Sequence, residues 1–278
     1  KHEIFYQEKI NFLDGIEFQN VDVWFPLLHG INGEDGSIHG LLRFTKKPLV
    51  GCGIIGSALG MDKILMKTIF SNLKLPQVNY LVFKNQDLKD KEVKNKIIDE
   101  ILKKLNFPVF VKPSNSGSSL GISKVINESE ILQALEKARE IDPGILIEEG
   151  LEVREIECGI IGNSILLTSE IGEVIYESDW YDYDSKYRSN NKIIIPAKID
   201  SKIAKEIKEI AIKSCRALNI FGFARVDFFL EKSSNKIFLN EINTIPGFTK
   251  NSMFPILWKA SGLKIEQLVA KLVDISLD

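Results

Sequence analysis

RVDFFL (residues 225–230) and FLNEINTIPG (residues 238–247) decide the fold. Both segments are rich in β-branched and aromatic residues and read as strands, and the polar EKSSNK between them reads as a turn. Asp227 and Glu241 lie symmetrically about Ser234, so an antiparallel hairpin closing there brings them together. Glu241 and Asn243 are two residues apart and project from one face of their strand. An Asp, a Glu and an Asn converging beside Arg225 form a set of hard oxygen ligands, as magnesium with a nucleotide phosphate requires. The bland alternative is a surface hairpin with solvated charges, and the rest of the chain has to decide between them.

The 278 residues are enough for two or three subdomains, each with its own core. Hydrophobic residues make up 44% and charged residues 27%, an ordinary globular composition. A net charge of −2 leaves no basic footprint for nucleic acid. No apolar run approaches the ~20 residues that cross a membrane, and no signal peptide is evident, so no membrane partner is expected. Cys52, Cys158 and Cys215 fit neither a disulfide framework nor a zinc site and read as buried thiols in a reducing compartment. A cytoplasmic protein is the expectation. The polar, patternless stretch before residue 21 reads as the middle of a domain rather than its start.

Strands and helices alternate along the chain, the signature of α/β architecture. VDVWF (21–25) and KPLVGCG (47–53) read as strands, with a Gly-rich loop, HGINGEDGSIHG (29–40), running into a short helix between them. Ser57 is a plausible N-cap for a helix over 57–75, which Pro76 stops. QVNYLVF is a strand, 91–105 an amphipathic helix, FPVFVK (107–112) a strand, 122–125 extended, and 128–141 helical. From residue 145 the strands ILIEE, REIECGII, SILLTSEI and EVIYE suggest an antiparallel sheet. SDWYDYDSKYRSNNK (178–192) has no apolar period and reads as a functional loop. A periodic helix over 201–218 precedes the hairpin, and helices near 252–261 and 265–275 close the chain.

FPVFVK delivers Lys112 to the loop PSNSGSSLG. Its two glycines and four serines let backbone N–H groups and hydroxyls approach an anion, with Lys112 as a point charge. The order is not that of a P-loop, because the lysine precedes the glycines. A flexible connection is the plain alternative. GEDG (33–36) reads as a turn capping the next helix, and His29 and His39 lack metal-ligand spacing. The aromatic and acidic residues of WYDYDSKY suggest a lid over a site as readily as a structural loop.

In order, HGxxGEDG, SALGMDK, KPSNSGSSLG, EEG…REIE, YDYDSKY, GFARVDF and NEINTIPGFT resemble the D-alanine–D-alanine ligase family of the ATP-grasp superfamily, from about residue 21 to the end. The resemblance implies a mixed α/β (α+β) ATP-grasp fold in three parts. These are a partial Rossmann-like N-terminal lobe (1–52), a central lobe (53–146) and a C-terminal lobe (147–278). It implies ATP, two Mg2+ ions (or Mn2+) and D-alanine as ligands, and a homodimer. Lys63 and Lys112 match the lysines that hold the ATP phosphates, with Lys186 reaching the terminal phosphate from the loop. Glu148, Glu149 and Leu151 match the segment against adenine, Glu155 the carboxylate on the ribose, and Trp180 the aromatic beside the base. Asp227, Glu241 and Asn243 match the metal ligands. Arg225 and the backbone of Gly247 match the groups that stabilise transferring charge, and Ser118 and Tyr187 the pair that orients substrates. Ser252 and Met253 match the second alanine's subsite, and His29 a histidine near the first.

The chemistry suits these residue types. Joining a carboxylate to an amine in water is uphill, so the carboxylate is first activated by phosphoryl transfer, which needs cations in a water-poor site. The acyl phosphate must survive until the amine attacks, which calls for a loop that closes. A related ligase taking D-lactate or D-serine is the alternative within the class, and Tyr187 argues against D-lactate by the same resemblance. A nucleotide-binding module without ligase activity is the alternative outside it. The family's first loop, with a glutamate for the first substrate's ammonium, has no counterpart among these residues. The first-alanine half of the site is therefore expected to be less fully specified than the nucleotide half. His39 stands where the family usually shows Gln.

Overall fold

The computed structural model describes residues 21–84, 91–117, 120–176 and 192–278. Two antiparallel sheets organise them. One has four strands in the order β1-β4-β2-β3, built from β1 (Tyr80–Lys84), β2 (Val109–Pro113), β3 (Ser123–Val125) and β4 (Gly144–Glu149). The other has five in the order β7-β6-β5-β8-β9, from β5 (Val153–Gly162), β6 (Leu166–Ile175), β7 (Lys192–Ile194), β8 (Gly222–Glu231) and β9 (Ile237–Asn243).

Alternation sets the faces of the smaller sheet. Phe83, Val109, Val111, Ile145 and Ile147 enter a core closed by α4 (Lys91–Lys104) and α5 (Ile131–Arg139). Helix α5 presents Ile131, Ala134, Leu135 and Ala138 to that core, the one-sided spacing of an amphipathic helix. The opposite face carries Tyr80, Phe110, Lys112 and Glu148. Glu148 stands across from Tyr80 on β1 and from Phe110 on β2.

The larger sheet divides in the same way. Ile156, Cys158, Ala224, Val226, Phe228, Leu239 and Ile242 pack against Ile207, Ile210, Ala211 and Cys215 of α6 (Ser201–Ala217). Asp200 caps that helix by accepting from Lys202 N at 2.7 Å. A third core joins Val50, Ile161 and Phe223 to Phe254 and Trp258 of α7 (Met253–Ala260) and Leu268 and Leu272 of α8 (Ile265–Leu277). Phe25, Phe223, Phe248 and Phe254 meet there with ring centroids 5.3–5.9 Å apart.

Several expectations need correction. The segments 21–25 and 47–53 form no strands; a single parallel bridge, Trp24 to Leu49, joins them. The helix expected over 57–75 is two helices, α2 (Ile54–Met61) and α3 (Lys63–Asn72). Ser57 is buried inside α2, where its hydroxyl lies 3.2 Å from Cys52 Sγ, so it is not an N-cap. Asp62 breaks the helix and caps α3, its Oδ1 accepting from Ile64 N and Leu65 N at 3.0 Å each. SILLTSEI and EVIYE merge into one strand, β6, and ILIEE belongs to the smaller sheet, which runs to Glu149. The helix over 37–43 does follow the Gly-rich loop as α1 (Ser37–Arg43), entered through Gly36 at φ 92°.

Candidate active site

The site face of the five-stranded sheet is written by β8. Val226 and Phe228 point into the core, which leaves Arg225 and Asp227 on the other side. Cross-strand pairing then sets Glu157 on β5 and Glu241 on β9 beside Asp227, and Asn243 beside Arg225. Three carboxylates thus form one row across three strands. β9 would turn Glu241 toward the core if the ladder were regular. Asn240 is skipped between the pairs Asp227–Glu241 and Phe228–Leu239, and this bulge flips the alternation so that Glu241 and Asn243 reach the site face.

Like charges so close need a counter-charge, and Arg225 supplies one. Its Nε and Nη2 donate to Asp227 Oδ1 and Oδ2 at 2.7 and 2.8 Å, and its Nε lies 2.9 Å from Glu157 Oε2. Burial opposes the charged guanidinium, but Asp227 and Glu157 hold it well above its ordinary value. Asn243 Nδ2 donates to Asp227 Oδ2 at 2.8 Å. Glu155, two residues before Glu157 on β5, accepts from the Tyr176 hydroxyl at 3.4 Å. Burial, then Glu155, Glu157 and Asp227, push that phenol far up.

Opposite this row stands a basic wall on α3 and the smaller sheet. Lys63, the first residue of α3, donates to Ser116 O at 2.5 Å and lies 3.9 Å from Glu241 Oε2. Lys67, one turn on, lies 2.5 Å from Glu148 Oε1, and Lys112 pairs with Glu148 Oε2. Burial works against ionisation of Glu148, yet Lys112 and Lys67 together bring its carboxyl down to about 2. Burial also opposes the charge on Lys112; Glu148 first, then Glu241 and Glu155, more than offset it and hold the group up.

Lys63, Lys112, Glu148, Glu155, Arg225, Asp227, Glu241 and Asn243 are brought onto facing walls. Glu149 turns its carboxylate the other way, accepting from Asn79 Nδ2 at 2.7 Å and Asn106 Nδ2 at 2.5 Å, and can offer the site only backbone. Leu151 lies in the link from β4 to β5. Gly247 approaches Ser252 so closely that a Cβ there would sit 2.9 Å from Ser252 Oγ. Ser252 is the N-cap of α7, and Met253 is buried with its Sδ against Gly172. His29 is exposed at the mouth of the Gly-rich loop. Ser118, Trp180, Lys186 and Tyr187 lie outside the described residues.

Four residues of the site were missed in the sequence. Glu157 shares the face of Glu155 two residues away, and Lys67 shares the face of Lys63 four residues away, so both spacings were open to reading. Glu34 reads in the sequence as a turn residue. It does accept from Gly30 N at 2.6 Å, while Asp35 accepts from Asn32 N and Ser37 N at 2.8 and 2.9 Å. Yet Glu34 also lies within the field of His29, Glu241 and Lys63, and burial raises its carboxyl. Tyr176 gave no signal.

Known proteins share this arrangement of chain. The D-ala D-ala ligase C-terminus family model matches residues 69–274, and the N-terminus model matches residues 3–52. A D-alanine–D-alanine ligase of Prochlorococcus marinus strain AS9601 is 91% identical over 278 residues, covering 100% of this chain and 78% of the relative. One from strain NATL1A is 48% identical over 276 residues, covering 99% and 79%. Among solved structures, the D-alanine-D-alanine ligase from Coxiella burnetii is 33% identical with a TM-score of 0.79, covering 93% of this chain and 68% of that one. The VanG D-Ala:D-Ser ligase from Enterococcus faecalis is 37% identical with a TM-score of 0.81, covering 92% and 73%.

Proposed function

The chain belongs to the D-alanine–D-alanine ligase family, and on that premise we propose that it joins two D-alanines at the expense of ATP, making the dipeptide for peptidoglycan. The observation that carries this reading is the opposition of two walls, lysine-bearing α3 and β2 against the acidic row of β5, β8 and β9, which meet where Lys63 lies 3.9 Å from Glu241. A polyanion with its cation is the ligand that such opposed charge accommodates.

The residues divide the work. Lys63 and Lys112 hold phosphate oxygens, with Lys186 reaching the terminal phosphate. Glu155 takes the ribose hydroxyls, while Leu151 and the backbone of Glu149 border the base with Trp180. One D-alanine carboxylate oxygen attacks the γ-phosphorus and ADP leaves. The second alanine's amine then attacks the acyl carbon, phosphate departs, and the amine's proton is lost. Arg225 and the Gly247 N–H face the charge that moves in both steps. Ser118 and Tyr187 orient the substrates, and Ser252 and Met253 border the second alanine. His29 stands near the first.

The donor chemistry fits Mg2+: Asp227, Glu241 and Asn243 offer only hard oxygens, and rotation of the Asn243 amide turns its oxygen outward. Bound there, two Mg2+ ions would neutralise phosphate charge. The chain is further read as cytoplasmic, dimeric and built of three lobes; no helix among the described residues is long and apolar enough to cross a membrane.

D-serine as second substrate is the other reading, favoured by the likeness to the Enterococcus faecalis enzyme. Phosphate release from ATP is measured with D-alanine, D-serine and D-lactate, singly and in pairs. Release stimulated by D-alanine alone, with the dipeptide as product, is expected. Release that needs D-serine would favour the second reading, and release that no substrate stimulates would sink both.

A further inference from the structure

Lys67 is buried on every side, 2% exposed, and cannot touch a substrate. A buried ammonium is costly unless paired, so its presence calls for a reason. Its partner is Glu148, itself 2% exposed and shared with Lys112, which reaches the site. Lys67 also sits 5.4 Å from the centroid of the Tyr80 ring, across the strand pair from Glu148. These groups are fixed by backbone register and helix phase. Tyr80, Glu148 and Phe110 align across three strands, and Lys67 follows Lys63 by one turn of α3.

Charge decides what this arrangement does. Glu148 is ionised at neutral pH, because its carboxyl is held down at about 2. Alone with Lys112 it would form a neutral pair, and the lysine's pull on an anion would be largely cancelled by the carboxylate behind it. Two ammonium groups around one carboxylate leave one positive charge over, and only Lys112 can present it to the site.

We propose that Lys67 is a positioning residue for nucleotide binding: it neutralises Glu148 from behind, so that Glu148 can hold Lys112 in place without cancelling its charge toward phosphate. The inference rests on the reading that Lys112 faces the ATP phosphates. It assigns to a residue remote from substrate a specific effect on ATP and none on D-alanine.

The test is a charge count in steady-state kinetics, with ATP and D-alanine varied separately. Lys67→Met keeps most of the volume and removes the charge, and its KM for ATP should rise about tenfold or more. The KM for D-alanine should stay within about twofold, since that subsite loses nothing. Lys67→Met combined with Glu148→Gln restores one net positive charge, and its KM for ATP should fall back below that of Lys67→Met, though not to the wild-type value, because Lys112 has lost its ionic anchor. A merely structural lysine would instead give a double variant as poor as the single one, or worse, and that result overturns the proposal. So does an unchanged KM for ATP in Lys67→Met. If Lys67→Met lacks a cooperative melt, Lys67→Gln takes its place in the same comparison, with the same two outcomes. Lys112→Met tests the underlying reading separately, for an unchanged KM for ATP there would remove the phosphate role of Lys112 and the proposal with it.

Discussion

Asp227 stands directly across from Glu241 between β8 and β9, and the bulge at Asn240 sets the alternation that puts both on the site face. Deleting Asn240 would make the ladder regular and still leave Glu241 across from Asp227, with Ile242 in the core, because Glu241 would follow Leu239 directly. What the deletion removes is the local bend that the extra residue gives the strand, and with it the aim of the Glu241 and Asn243 side chains. The protein should therefore still fold cooperatively, while dipeptide synthesis falls about tenfold or more through misplacement of these groups. Asn240→Ala keeps the residue count and should retain turnover within about twofold. Equal loss in both variants would show that the Asn240 side chain, not the bulge, matters.

Arg225 is the second prediction. Its planar fork makes two bonds to Asp227 while its Nε also lies against Glu157, a geometry that a lysine cannot reproduce. Arg225→Lys keeps the charge but loses the fork. Turnover should fall about a hundredfold, as for loss of one donor aimed at transferring charge, with the KM for ATP changed by no more than about threefold. A fall in KM-dependent rates alone, with turnover kept, would make Arg225 a binding group instead.

How far these features could be read in advance depends on what fixes each one. The alternation of RVDFFL exposes Arg225 and Asp227 whatever the partner strand does, so that wall was legible. The symmetry about Ser234 gave the right pair, but it could not reveal the bulge, because the turn and the skipped Asn240 compensate each other by one residue. Glu148 and Glu149 are adjacent and alike. Only the register against Tyr80 and Phe110 decides that the first faces Lys112 and the second faces Asn79. The helix break at Asp62 was hidden because residues on both sides keep helical spacing, and a capping Asp looks like any other in sequence. The pairing of Trp24 with Leu49 is one bridge, too little for a strand, and local propensity cannot count bridges.

The cysteines provide a third prediction. Cys52, Cys158 and Cys215 are free and fully buried in one core around α6. Burial pushes the Cys52 thiol up to about 11 and the Cys158 thiol up to about 12. Neither is a thiolate near pH 8, and neither is reachable by a reagent. Titration with a chromogenic disulfide should find almost no reaction in the native protein and all three thiols after denaturation. Fast reaction of a native thiol would contradict the packing of α6 on the sheet.

The last prediction concerns acid. Glu148 has its carboxyl lowered from 4.5 to about 2, because Lys112 and Lys67 outweigh the cost of burying it. A depressed carboxylate contributes stability that is fully present above its unfolded value and is lost as pH falls through its folded one. The window is therefore from about pH 5 downward to about 2, and the contribution at stake is on the order of 3 kcal/mol. Other carboxylates titrate in the same range, so the useful quantity is a difference. Urea unfolding of the wild type and of Glu148→Gln should be compared at several pH values. The wild type should be more stable near neutrality, since the variant leaves Lys67 and Lys112 without their shared anion. As the pH drops, the wild type's carboxylate becomes neutral like the variant's amide, and the gap between the two should close. A gap that stays constant down to pH 3 would mean that Glu148 titrates alike in the folded and unfolded chains, so that the lysines do not hold its carboxyl down, and the ion-paired cluster behind Lys112 would have to be redrawn.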